Sequence, residues 1–223
     1  MRASAAALFV ATILTSTPSM ADPHDLRGYR LGMTLEEFKA MPYPDPDRYA
    51  GINVLCTGDQ TPPKTYGTAE LKVPGAMSSI GLIRCKHFAP QKLGVMVDNK
   101  EAPLNVANVQ TFTTFEFLPG KDNVPRLVRI IVGSNMMYWD QLWSAYTTKY
   151  GPPTSVENSV VRNSLGATFP KITATWQAKE SSITLEQRDG NVKTMKIEYL
   201  HMDLGRSLLD ALKRTEGSAA SKL

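Results

Sequence analysis

The chain has 223 residues, 42% of them hydrophobic and 21% charged, which is enough to bury a sizeable core in one large domain or two small halves. Its net charge of +4 is small and its basic residues are scattered, which argues against a nucleic-acid-binding face. Two cysteines and three histidines, without ligand spacing between them, argue against a structural zinc site.

The N-terminus carries Arg2, an apolar stretch over residues 5–14, Pro18, and the small residues Ser19 and Ala21. That is the pattern of a secretory signal peptide over residues 1–21, cut between Ala21 and Asp22. The apolar stretch is about half the roughly 20 residues that a spanning helix needs. No cysteine follows the cut to carry a lipid. The expectation is a chain that is soluble after signal cleavage, in the periplasm or secreted. In an oxidising compartment Cys56 and Cys85 are expected to form a disulfide. Closing that loop would contribute roughly 3–4 kcal/mol in the chain-entropy model. Neither Cys-x-x-Cys nor Cys-x-x-Cys-His occurs, so a redox pair or an attached haem is not indicated.

The first ordered element is announced by Thr34-Leu35-Glu36-Glu37, an S/T-x-x-E capping box. Met33 and Phe38 stand where a hydrophobic staple belongs, and Pro42, Pro44 and Pro46 end the helix. Capping accounts for the paired glutamates without general acid–base chemistry. Residues 47–79 read as irregular. Strand signals follow over 80–88, 111–118 and 126–132, the last two joined by a turn cluster into an antiparallel hairpin. Ser134 or Asn135 can cap a second helix whose Trp139, Leu142, Trp143, Tyr146 and Tyr150 recur at helical spacing. Gly151 and Pro152-Pro153 end it. Strands are expected over 171–178, 182–188 and 192–199, with Asp189-Gly190 as a tight turn. Asp203 can cap a last helix to about Arg214, which leaves 215–223 as a flexible tail.

A capped helix with a proline-marked exit thus precedes antiparallel strands twice. The pattern predicts an α+β fold: an antiparallel sheet with helices packed on one face, plus a C-terminal helix. A single domain over 22–214 accommodates it, with candidate halves 22–133 and 134–214.

The entry Gly28-x-x-x-Gly32-Met33-Thr34-x-x-Glu37 resembles that of exported bacterial proteins of uncharacterised role. It is also similar, more distantly, to the SmpA/OmlA (BamE) lipoproteins and to β-lactamase-inhibitor-protein-like modules. The exit Trp143-x-x-Tyr146-x-x-x-Tyr150-Gly151-Pro152 looks like the second helix of the first group. The resemblance implies helix-plus-sheet modules that act by binding proteins. It transfers no functional residue, and the missing lipid-bearing cysteine departs from the BamE pattern.

Gly-x-Ser-x-Gly, Gly-x-Gly-x-x-Gly, the phosphate-binding Gly-Lys-Ser/Thr loop and His-Glu-x-x-His are all absent. No catalytic, cofactor or metal residue is assigned. The leading expectation is a non-enzymatic binding module for a protein or an envelope component, with no nucleic-acid partner and no membrane span. A small-ligand-binding protein and a hydrolase with an unrecognised site remain as alternatives. The aromatic stripe reads as core, with Trp139, Trp143 and Trp176 as candidate ligand or partner contacts. The sequence is silent on oligomeric state.

Overall fold

The computed structural model describes residues 24–45, 51–62, 65–93 and 96–220. The signal peptide expected over 1–21, and its cut between Ala21 and Asp22, lie outside the described residues. Strands β1 (Asp25–Leu26) and β2 (Tyr29–Arg30) form a small antiparallel ribbon. Gly32, at φ 85°, adopts the left-handed backbone open to glycine and turns the chain into helix α1 (Leu35–Ala40). The capping box is made in full: Glu37 N–H donates to Thr34 Oγ1 (3.1 Å) and Thr34 N–H to Glu37 Oε2 (2.7 Å). Phe38 projects into the core.

The segment expected to be irregular contains β3 (Asn53–Cys56), a 3-10 turn at Thr68–Leu71 and a single-turn helix α2 (Gly75–Ser78). These elements are too short to show a period. Next come β4 (Ile83–Leu93), β5 (Met96–Glu101), β6 (Leu104–Val106), β7 (Val109–Pro119) and β8 (Pro125–Asn135). The hairpin expected over 111–118 and 126–132 is β7 and β8, each extended at its ends. Asn135 accepts from Met137 N–H (3.0 Å) and opens a 3-10 turn at Met136–Tyr138. Helix α3 (Trp139–Tyr150) follows, closed by Gly151 at φ 76°. Four strands complete the sheet: β9 (Ser155–Arg162), β10 (Thr168–Gln177), β11 (Ser181–Glu186) and β12 (Thr194–His201).

Among the described residues the main sheet has ten strands, with its principal order β3-β4-β7-β8-β12-β11-β10-β9; β5 joins β4 and β6 joins β7. Every pairing between these strands is antiparallel. Each helix-then-strands half therefore feeds the sheet from one edge to the centre, and the two last strands meet there. One cross-strand row reads Cys56, Cys85, Phe115, Ile130, Tyr199, Ile183, Trp176. Strand alternation places all of it on one face. Helices α1 and α3 seal that face with Phe38, Trp139, Leu142 and Tyr146 in one continuous core. Fully burying a side chain of this size stabilises the fold by roughly 1.5–3 kcal/mol. Cys56 and Cys85 are direct cross-strand neighbours and are joined as the expected disulfide.

The helices do not all share that face. A bulge in the β7–β8 pairing turns Val128 to the opposite side, where it packs with Leu118, with Met77 of α2 and with Leu208 and Ala211 of the last helix, α4 (Arg206–Ala220). Helix α4 also differs from expectation at both ends. Asp203 pairs with Arg206 (3.4 Å), while the first helical bond runs from Leu209 N–H to the Gly205 carbonyl (2.9 Å). The helix continues past Arg214 to Ala220, through residues expected to fray. No described helix is long and apolar enough to cross a membrane.

Candidate functional site: an open sheet face and a basic groove

Among the described residues the face opposite α1 and α3 is covered only towards the β3–β4 edge and at the α2–α4 corner. Over the rest, two cross-strand rows lie open. One is Gly133, Lys196, Glu186, Thr173 and Glu157; its neighbour is Ile131, Glu198, Thr184, Thr175 and Ser155. All ten are half-buried or exposed. They are the outward members of strands whose alternate residues fill the core, so one alternation builds both faces.

Most charges on this side of the sheet are paired. Glu186 sits between Lys171 and Lys196 (3.0 Å to Lys196), and Lys196 also reaches Asp189 (3.4 Å). Burial pushes the Glu186 carboxyl up, but hydrogen bonds from the two lysines outweigh it and hold the group below its ordinary value. Glu116, fully buried, is clasped by Arg84 (2.7 Å) and Arg129 (2.6 Å), and Arg129 extends to Glu198 (3.6 Å). Lys86 is buried between Glu101 (2.8 Å) and Glu70. Burial raises the Glu101 carboxyl above its ordinary value, against the pull of Lys86.

At one end of this face, between the β9–β10 and β11–β12 turns, lies a groove of about 890 Å³. Arg162, Lys171, Arg188 and Lys193 line it, with Asn163 and Asn191, and among the described residues no carboxylate does. Arg188 occupies the left-handed region at φ 58°, rare for a residue with a side chain. Its guanidinium donates to the Pro170 carbonyl and lies 5.9 Å from the Phe169 ring centre, while its Nε is buried with no hydrogen-bond partner. Arg162 and Lys193 are exposed, and among the described residues neither makes an ion pair. Lys171 is neutralised by Glu186, while Arg162, Arg188 and Lys193 face the cleft without an ion pair among the described residues; they repel one another, and an anion bound between them would relieve that repulsion. Guanidinium groups suit phosphate, sulfate or carboxylate oxygens in particular.

The remaining chemistry-bearing residues are enclosed. His24 Nδ1 is 2.8 Å from Ser181 Oγ, and the His24 N–H donates to the same oxygen (3.1 Å). Both residues are buried, so this contact fastens the N-terminal segment to the sheet rather than presenting a nucleophile. His87 lies among Tyr29, Phe38, Tyr43 and Phe115, with Nε2 3.2 Å from the Tyr29 hydroxyl. Burial pushes its pKa down to about 4. Among the described residues no three His, Cys, Asp or Glu side chains gather to hold a metal ion.

The three tryptophans come together. Trp176 is 0% exposed and its indole N–H donates to the Gly151 carbonyl (2.8 Å). Trp139 is also buried. Trp143, half-buried, stacks 5.5 Å from Trp139 and 6.3 Å from Trp176. They form core beneath and within α3, and of the three Trp143 has the most surface to offer. Sequence reading missed the groove because its four cations come from two strands and the β11–β12 turn. A charge count shows them only as scattered surface.

The fold and the site define a helix-and-sheet module with one sealed sheet face and one open, charged face that ends in a cationic groove. Compared with protein-family models, curated proteins and solved structures, the chain matches none.

Proposed function

We propose that this is an exported, non-enzymatic binding protein whose ligand is an envelope component bearing phosphate, sulfate or carboxylate groups. The observation that carries this reading is the groove lined by Arg162, Lys171, Arg188 and Lys193 without a carboxylate. The signal-peptide pattern supports an exported site of action, and the helix entry similar to BamE-like and inhibitor-protein-like modules supports a protein that acts by binding. The ligand's anionic group would sit among the groove cations while its body lies along the open face. Pyrophosphate and inorganic phosphate serve as probes in a thermal-shift titration at low salt. The melting temperature should rise with probe concentration as mass action requires, and the rise should shrink as salt screens the site. The double variant Arg162→Glu/Lys193→Glu, changed only at exposed positions, should weaken binding by about tenfold or more. An unchanged melting temperature up to about 10 mM probe would sink the reading.

One observation favours a second reading, a protein partner. Tyr66 (54% exposed) and Phe112 (57% exposed) flank a depression of about 430 Å³ that also involves Pro103 and Gln110. Exposed aromatic side chains of this kind are enriched where proteins dock. Crosslinked pull-downs from the native envelope with wild type and Phe112→Glu separate the two readings. A protein captured by wild type and lost from the variant, together with an inert groove, would establish this alternative.

A further inference from the structure

Among the described residues strand β9 closes the sheet at one end and pairs only with β10. Natural edge strands are blunted by shortness, proline, lysine or bulges, because a bare edge templates another strand. The opposite end of the principal strand order has such a device: β3 is four residues long. Strand β9 has none. It runs Ser155–Arg162 in unbroken register with β10, with no proline or lysine. Val156 and Val160 on it are 46% and 65% exposed.

The direction of its free backbone groups can be derived. Arg162 opposes Thr168, and in the same register Asn163 N–H donates to the Ala167 carbonyl (3.0 Å). Hydrogen-bonded residues alternate along an antiparallel ladder. Ser155, Glu157, Ser159 and Val161 therefore turn their backbone groups toward β10, while Val156, Asn158 and Val160 turn theirs outward.

The geometry points to a second copy of this chain as the occupant of this edge, β9 against β9, antiparallel about a two-fold axis at Asn158. In that register outward-turned residues bond outward-turned residues. Asn158 meets its own counterpart, and Val156 meets the partner's Val160 in both directions, covering both exposed valines. On the other face Glu157 meets Ser159 and Ser155 meets Val161, so no carboxylate opposes a carboxylate. Moving the axis to Val156 or Val160 pairs that valine with its own counterpart and leaves the other uncovered. This self-complementarity is what an isologous contact requires, and a foreign strand would have no cause to share it. The contact is one strand wide, below the area of a standard interface, so the dimer forms only at high concentration.

Sedimentation of the mature protein over a wide concentration range tests the pairing. The weight-average mass should climb from monomer toward dimer. The double variant Val156→Lys/Val160→Lys should stay monomeric, as should Asn158→Pro, which removes an outward N–H and no bond to β10. Unchanged circular dichroism of both at low concentration shows that they fold. Under mild oxidation Asn158→Cys should crosslink roughly tenfold faster than Ser159→Cys, whose counterpart is offset in this register. A wild type that is monomeric at every concentration overturns the inference, even if it captures unrelated peptides. So does a dimer that persists in the valine variant, or one that crosslinks equally at both cysteine positions.

Discussion

His87 shows how a single side chain can set the pH response. Enclosed by aromatic rings beside the Tyr29 hydroxyl, it stays neutral down to about pH 4, against an ordinary value of 6.5. Above pH 6.5 folded and unfolded chains both hold it neutral, and it contributes no pH dependence. As pH falls from 6.5 toward 4 the unfolded chain takes up the proton first, so stability drops, by about 3 kcal/mol at the foot of the window. Glu101 acts in the opposite sense: its raised pKa lets the folded chain take up a proton earlier and offsets part of the loss. Urea titrations of wild type and His87→Phe across this window isolate the histidine, because the variant should lose most of the downward slope. At Thr34 the effect is local. Thr34→Ala removes the cap on α1 and should cost about 1 kcal/mol in the same titration. The cap was legible in the sequence because it involves four consecutive residues. The burial of His87 was not, because its cage comes from three separate stretches of chain.

Helix α4 is held at its entry by Gly205. A methyl group there would lie 2.6 Å from the His201 carbonyl oxygen and 2.7 Å from Leu200 Cδ1. The backbone oxygen cannot move aside without disturbing the end of β12. Gly205→Ala should therefore lower stability by about 1–3 kcal/mol and loosen α4 from Met77 and Val128. Faster amide exchange in α4, with β12 still protected, would be its signature. This entry was misread from sequence because Asp203 has ideal capping chemistry but sits in the turn before the helix. Strands β3 and β9 escaped for a related reason. One is too short to show alternation, and the other is an edge whose valines stand among exposed polar residues.

The two halves share one core, and β8 meets β12 through seven paired residues. The disulfide lies in the first half and the three tryptophans lie in the second. Reducing Cys56–Cys85 should lower the urea midpoint reported by tryptophan fluorescence, by roughly 2–4 kcal/mol of stability, because the halves unfold as one unit. A midpoint indifferent to reduction would show that they unfold separately. Intact mass about 2 Da below the dithiol value confirms the starting state, since forming the bond removes two hydrogens. By itself the sequence determined the capped helix α1, the β7–β8 hairpin, the α+β class and the pairing of the only two cysteines. Each depends on neighbours in the chain, on periodicity or on parity. The tertiary structure alone decided that α4 crosses to the second face, that β9 is left as a bare edge, and that Arg162, Lys171, Arg188 and Lys193 converge on one groove. Those features depend on which strands become neighbours, and that is fixed by packing between residues far apart in the chain.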